Sequence, residues 1–529
     1  MLAFQLFKGK TSTQHKKENT PMKHTHITTI LTTTALTLTA CTTPTEPPTT
    51  ITIGNETINL TEHNPDTTIY PETLTAHTTT ITANTPPNTT ITINNTPLTT
   101  PYTINNLGDN LTVALNHNNT TKNYTIATQP EGFPHLTFDT PDTTQTQTIM
   151  NNTHYLTDFY SDSAINAQAA GANPQIPLKK NTIARFNHAG DLLAYKQSDN
   201  IILNFDTHTT STGQKRYTYF QETPEAGSKT GYYRGHYVIA DEHLNPINTI
   251  TPKPTDLYMD PHPAAESHDF LVLGDNHYML IDYYFNKTTR NQRTGEPIPE
   301  ASAYIQEIKD DTVVWEWLSS EHDDIQQLIT TYENIGLLAP ISPEYYDPVH
   351  INSIDINPLN GNVVFSSRSL DAIIEINRTT GNIEWVFGGE NNQFTVTSEN
   401  GKYNDGTPAI AKQHDAKLTT TETGKLQLTL YNNSEPGHQA SRGMTYNLNT
   451  EEKTAELVSE VDDANQQAVY TGSYTTLDNG SLVGWGMNKK HPILATLFDN
   501  NGNPVQRVTY DGSYNLNTYR WNLDPQQAS

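Results

Sequence analysis

The chain runs to 529 residues, with 57 acidic side chains against 31 basic ones, a formal net charge of −26 and a single cysteine. That length exceeds one ordinary core, so a large domain with a smaller companion is expected. The charge, with no basic stripe in the sequence, argues against a nucleic-acid partner, and a lone cysteine excludes intrachain disulfides and thiolate metal clusters. Only 34% of residues are hydrophobic, Thr and Asn abound, and 32 prolines and 28 glycines punctuate the chain. An all-β protein with many polar turns is the expectation.

Residues 1–21 read as an upstream extension, with Met22 as an alternative start. Met22-Lys23-His24 begins a basic patch, Ile27–Leu38 is apolar and Thr-rich, and Leu38-Thr39-Ala40-Cys41 ends it. The stretch is too short and polar for a stable transmembrane helix. It resembles a bacterial lipoprotein signal, residues 1–41, in which Cys41 becomes the lipidated N-terminus; the competing reading is a buried structural cysteine. A lipid-anchored protein of the cell envelope, outside the cytoplasm, is expected. Residues 42–52 (TTPTEPPTTIT) form a Pro/Thr linker. Over 53–128, short alternating runs such as Thr89–Ile93 and Asn110–Leu115 predict a small Ig-like β-sandwich with no visible chemistry. Gln129–Pro134 reads as a boundary.

From Ala184 onward one theme recurs: a His or other polar residue, a strand, a Gly/Asn turn and a second strand. It runs through Ala184–Tyr195, His268–Asn276, His350–Gly361, His414–Lys425 and Ser473–Gly480. Residues 350–389 are the best-formed copy. Strands are predicted over Ile351–Ile356, Asn362–Arg368, Ala372–Asn377 and Ile383–Phe387, separated by Asn357–Gly361, Ser369–Asp371 and Thr380–Asn382. Four antiparallel strands in roughly 40 residues is the size of one β-propeller blade. Five hairpins and a closing strand over Tyr514–Leu523 predict a propeller of about six blades across residues 129–529. Glu321–Glu333 reads as a short inserted helix.

In a propeller the first strands of all blades line one channel and run the same way, so residues just before them meet at one mouth. His268, His350 and His414 occupy that position in three blades, and hairpin pairing puts Arg368 beside His350. A single pre-strand histidine is commonly only a turn residue, and function is argued from a site rather than a fold; the convergence carries the reading. Three imidazoles could bind zinc, but a fixed arginine disfavours a dication and suits an anion. No HExxH-like spacing occurs, and no metal or cofactor is expected. Asn352 either bonds an anion oxygen or pairs locally. Tyr474 either lines the pocket and stacks on an aromatic ring or packs in the core. His236 and His262 read as structural or surface residues.

His268-Asp269-Phe270, His350-Ile351-Asn352-Ser353, Ser366-Ser367-Arg368, Trp385–Gly389 and Gln413–Ala416 resemble the motifs of bacterial arylsulfate sulfotransferases, as does Ser441-Arg442 followed by Tyr446. The resemblance covers Gln129 to Leu523, with a first blade that does not align, and the N-terminal sandwich matches the family's layout. It implies a six-bladed propeller that moves a sulfuryl group from an aryl sulfate to a phenol without a nucleotide donor. By position it makes His414 the transiently sulfated nucleophile and places His268, His350 and Arg368 at the sulfate. The chemistry is sound on its own terms. Neutral imidazole, with a reference pKa of about 6.5, is a competent nucleophile, and arginine can hold two oxygens. His268 or His350 could protonate the departing phenolate. Two other readings stay open: a non-catalytic propeller lipoprotein binding an anionic or aromatic ligand or a partner protein, and a metal-dependent hydrolase.

Overall fold

The computed structural model describes residues 48–161, 176–228, 232–290, 296–331, 345–398, 410–433, 440–463, 466–487, 492–511 and 514–526. Cys41 and the signal-like segment around it lie outside these. The described part is all-β apart from short helical turns.

Polar two-residue turns build the N-terminal hairpins. Thr89–Ile93 reverses into Thr96–Pro97 over Asn94-Asn95, and Leu111–His117 into Thr120–Ile126 over Asn118-Asn119. These asparagines have φ of 48°, 66°, 47° and 62°, the paired left-handed geometry that matches strand twist and that Asn tolerates. With Thr68–Ile69 these strands make a five-stranded sheet, while Glu56–Asn59, Thr50–Ile53, Thr80–Asn84 and Tyr102–Thr103 make a four-stranded one. Alternating apolar residues from both, including Ile51, Ile81, Ile91 and Val113, share one core. Each such buried side chain contributes roughly 1.5–3 kcal/mol. The core continues into Tyr155, Phe186 and Trp521 of the following sheet, and Thr73–Thr75 pairs there with Ala194–Lys196. Backbone pairing thus fastens the small N-terminal sheets to the body.

Six sheets follow, each built on four antiparallel strands, the fifth with Thr395–Ser398 added in parallel. The first is Trp521–Pro525, Thr153–Phe159, Asn181–Phe186 and Leu192–Ser198, so the chain's last strand pairs with one near the body's start. The second comprises Ile202–Thr209, Lys215–Glu222, Arg234–Ala240 and Pro246–Ile250; the third Phe270–Gly274, His277–Arg290, Pro297–Lys309 and Thr312–Leu318. The fourth is Ile351–Ile356, Val363–Ser367, Ala372–Ile376 and Ile383–Gly388, each strand within a residue or so of its expected bounds. The fifth is His414–Thr420, Leu426–Asn432, Arg442–Asn449 and Thr454–Val461; the sixth Ser473–Leu477, Gly480–Gly484, Ile493–Asp499 and Pro504–Tyr510. The inserted helix is Asp323–Thr331, and Asp324 ties it to the fourth sheet by accepting the Ile383 N–H at 2.5 Å.

The first-named strands are joined from sheet to sheet. Asn522 Nδ2 donates to Phe205 O (2.9 Å), Asn204 Nδ2 to His268 O (3.3 Å) and Ile354 N to Asp269 Oδ2 (2.8 Å). Ala416 N donates to Ser353 Oγ (3.0 Å), Tyr474 N to Asp415 Oδ2 (3.1 Å) and Trp521 N to Ser473 Oγ (2.9 Å). The run begins in the first sheet and returns to it. Apolar clusters fill the spaces between neighbours, such as Leu156 with Ile202 and Phe205, and Phe387 with Leu428 and Tyr446.

Candidate active site

Four of the expected residues come together. His350 directly precedes its strand, His414 opens one, and His268 stands two residues before Phe270. Local irregularity absorbs this difference in count. Pairing register shifts between Ile351 and Ser353 and between His414 and Lys417, and His350 and Asp415 have φ of 50° and 53°. Asp and His enter that left-handed region more readily than most residues. Arg368 follows Val363–Ser367, and its N–H donates to His350 O at 2.9 Å, the expected cross-strand pairing. The rings of His268 and His350 lie 5.1 Å apart, and Arg368, His268 and His350 all lie close enough to His414 to bear on its protonation.

Each imidazole is oriented through Nδ1. His268 Nδ1 lies 2.7 Å from Glu266 Oε1, while its N–H donates to Glu266 Oε2. His350 Nδ1 lies 2.8 Å from Asp347 Oδ2, and the Tyr232 hydroxyl touches both groups. A carboxylate acceptor holds the proton on Nδ1 and leaves Nε2 facing the site. His414 differs: Nδ1 meets Asn433 Oδ1 at 2.6 Å and Lys412 O at 3.0 Å, while Nε2 accepts the Thr471 N–H at 3.3 Å. Burial, reinforced by Arg368, lowers the His414 pKa well below its ordinary value. Burial also lowers that of His350, with Asp347 opposing. Both rings are therefore neutral at neutral pH.

Arg368 is 7% exposed. Its guanidinium lies 4.9 Å from the Tyr470 ring, one Nη donates to Val469 O at 3.4 Å, and buried Nε has no partner. Among the described residues no carboxylate lies within ion-pair distance of it, although buried cations are normally paired. Other buried cations here follow the rule: Arg520 binds Asp269 at 2.7 Å and Lys412 binds Asp371 at 2.9 Å, and the half-buried Lys417 also reaches Asp269 at 2.9 Å. Arg368 is thus available to an anion, in a site edged by Thr471, a β-branched residue at φ 57° whose backbone is strained.

The remaining candidates sit elsewhere in the packing. Asn352, fully buried, donates Nδ2 to Gln413 O at 2.6 Å across to the next sheet and so steadies the peptide before His414, while its Oδ1 has no partner. Tyr474 packs its ring over Gly443 in an apolar cluster with Tyr431, Trp485 and Phe498, and its hydroxyl accepts from Thr445 Oγ1. That places the ring in the core. His236 pairs with Thr223 Oγ1 at 3.2 Å, and His262 is exposed. Sequence reasoning missed Glu266, Asp347, Tyr232, Asn433 and Thr471. Glu266 and Asp347 were legible as acids two and three residues before their histidines. Asn433 follows its second strand as Arg368 follows its own.

With this geometry in place, comparison defines the class of protein as a transferase: residues 221–510 match the arylsulfotransferase (ASST) family. The chain belongs to that family, and membership implies aryl sulfates and phenols as substrates. No curated protein matches it. Among solved structures it is similar to a protein of unknown function from Bacteroides caccae, at 11% identity and TM-score 0.37, covering 71% of this chain and 100% of that one. It is also similar to the Myceliophteria thermophila Cps50 (Swd1) beta-propeller domain, at 8% identity and TM-score 0.32, covering 62% of this chain and 79% of that one. Likenesses this slight bear no weight on function.

Proposed function

We propose that the protein transfers a sulfuryl group from an aryl sulfate to a phenol by a ping-pong route through sulfo-His414, without a nucleotide donor. The six sheets are read as blades of one propeller, with the small N-terminal sheets as an Ig-like module. The observation that carries the proposal is Arg368, a buried cation without a carboxylate partner, beside a neutral imidazole whose Nε2 bears a lone pair. Arg368 binds two sulfate oxygens and offsets the charge that builds on them in a loose transition state. His414 Nε2 turns its lone pair from the Thr471 N–H to sulfur and attacks as the S–O bond to the aryl group breaks, and the electron pair leaves on the phenolate. His268, held by Glu266, supplies the phenolate proton and later accepts one from the incoming phenol. His350, held by Asp347, stands beside Arg368 at the sulfate position.

Incubation with p-nitrophenyl sulfate and a phenol should release nitrophenolate and yield the sulfated phenol, with transient sulfation of His414 seen by mass spectrometry. Release that needs neither an acceptor nor His414 would sink the proposal. The envelope location belongs to the same reading: Cys41 is taken as the lipidated residue, and Cys41→Ser should shift the protein from the membrane to the soluble fraction. Retention in the membrane would refute the anchor.

A further inference from the structure

Two of the three clustered imidazoles are held by carboxylates and one by an amide, and the difference falls on the proposed nucleophile. Asn433 is 1% exposed. Its Nδ2 donates to Ala468 O at 3.1 Å and Thr471 O at 2.8 Å, so the amide has one orientation. The flipped form would set its oxygen against two carbonyl oxygens. Oδ1 therefore faces His414 Nδ1, which also meets Lys412 O. Two acceptors converge on Nδ1, so Nδ1 carries the proton. The backbone N–H of Thr471 directed at Nε2 requires a lone pair there. Because Thr471 O binds Asn433 while Thr471 N binds His414, one strained residue locks both partners.

We propose that Asn433 is a positioning residue that keeps the proton on His414 Nδ1 through both half-reactions; this inference rests on the sulfo-His414 reading above. When the Nε2 lone pair forms the N–S bond, the ring becomes an N-sulfoimidazolium and its Nδ1–H turns strongly acidic. An amide oxygen is too weak a base to remove that proton, whereas a carboxylate would take it. With the proton in place, attack by the acceptor phenol returns the N–S electron pair to Nε2 and expels neutral imidazole. Without it the leaving group would be imidazolate, and transfer would stall. Among the described residues, the other charges near the ring fit this division. Arg368, His268 and His350 act on it from neighbouring sheets, Lys412 is neutralised by Asp371, and Asp415 accepts the Tyr474 N–H and faces Arg520.

The test compares Asn433→Asp and Asn433→Ala with the full-length wild type, using p-nitrophenyl sulfate and phenol. Asn433→Asp should release a burst of about one nitrophenolate per protein and then turn over at least tenfold more slowly, with sulfo-His414 accumulating in the mass spectrum. Asn433→Ala should lower kcat about tenfold to a hundredfold with KM little changed. Wild-type turnover by Asn433→Asp without accumulation, or full kcat in Asn433→Ala, overturns the inference. A readout independent of activity is nitrogen-15 NMR of labelled histidine, with His414 identified by the signal missing from His414→Gln. The Nδ1–H form of the ring is expected, and an Nε2–H form overturns the inference. Should the wild type act on no aryl sulfate, the parent reading fails while the NMR result still decides how Asn433 holds His414.

Discussion

Two layers of the body, a residue apart in sequence, treat charge in opposite ways. His268 and His414 belong to the cluster that leaves Arg368 without a carboxylate. Their immediate neighbours, Asp269 and Asp415, belong to a belt in which the buried cation meets carboxylates. Asp269 accepts from Arg520, Lys417 and the Ile354 N–H, and Asp415 faces Arg520 at 3.5 Å while accepting the Tyr474 N–H. Burial pushes the Asp269 carboxyl up, but Arg520 and Lys417 outweigh it and hold the group below the usual carboxylate range. Burial lowers Arg520 likewise, and the two aspartates more than restore it. Paired charges of this kind join sheet to sheet; a buried cation left unpaired is expensive to keep and marks a ligand position.

The contrast can be broken from either side. Replacing His414 with Ala should cut transfer by at least about 10³-fold and lower stability by about 1–3 kcal/mol, because loss of the buried ring leaves Asn433 Oδ1 and Lys412 O unpaired; retained transfer would dissolve the distinction. Arg368→Ala should cost about 10²–10³ in kcat/KM. Arg368→Lys should recover only part of it, because an ammonium cannot grip two oxygens at once; a loss of stability without loss of rate would reassign Arg368 to structure. Arg520→Met should act in the opposite sense, destabilising the fold by about 3–5 kcal/mol in urea titration because Asp269 and Asp415 lose a buried partner. Sensitivity to pH is the smallest effect. His414 and His350 are depressed on folding, so between their folded values and about 6.5 the unfolded chain binds more protons. Stability should therefore decline as pH falls below about 6.5, while His414 itself stays neutral and nucleophilic through that range. A stability that rises on acidification from neutral pH would contradict this.

The fourth sheet was legible almost strand for strand because β-branched and aromatic runs alternate with Asn-Gly and Thr-Gly turns. The second, Ile202–Ile250, escaped notice because it opens on no His or Gly signal and its strands run through polar Thr, Lys and Gln. Likewise His268, His350, Arg368 and His414 were readable from their repeated placement before or after strands. Tyr474 was not decidable, since it falls inside the strand Ser473–Leu477, where its ring turns toward Gly443 and the space between sheets.

The sequence by itself determined the all-β class, the blade-sized repeat, the three histidines with their arginine, and membership of the arylsulfotransferase family, because these depend on local periodicity and residue type. Only the tertiary structure decided what surrounds each imidazole. Whether a ring meets Glu266, Asp347 or Asn433, and whether Arg368 finds a carboxylate, depends on register shifts and left-handed backbone at His350, Asp415 and Thr471. The two carboxylates stand close in sequence to their histidines, but the Asn433 contact and the surroundings of Arg368 are settled by packing between sheets dozens of residues apart.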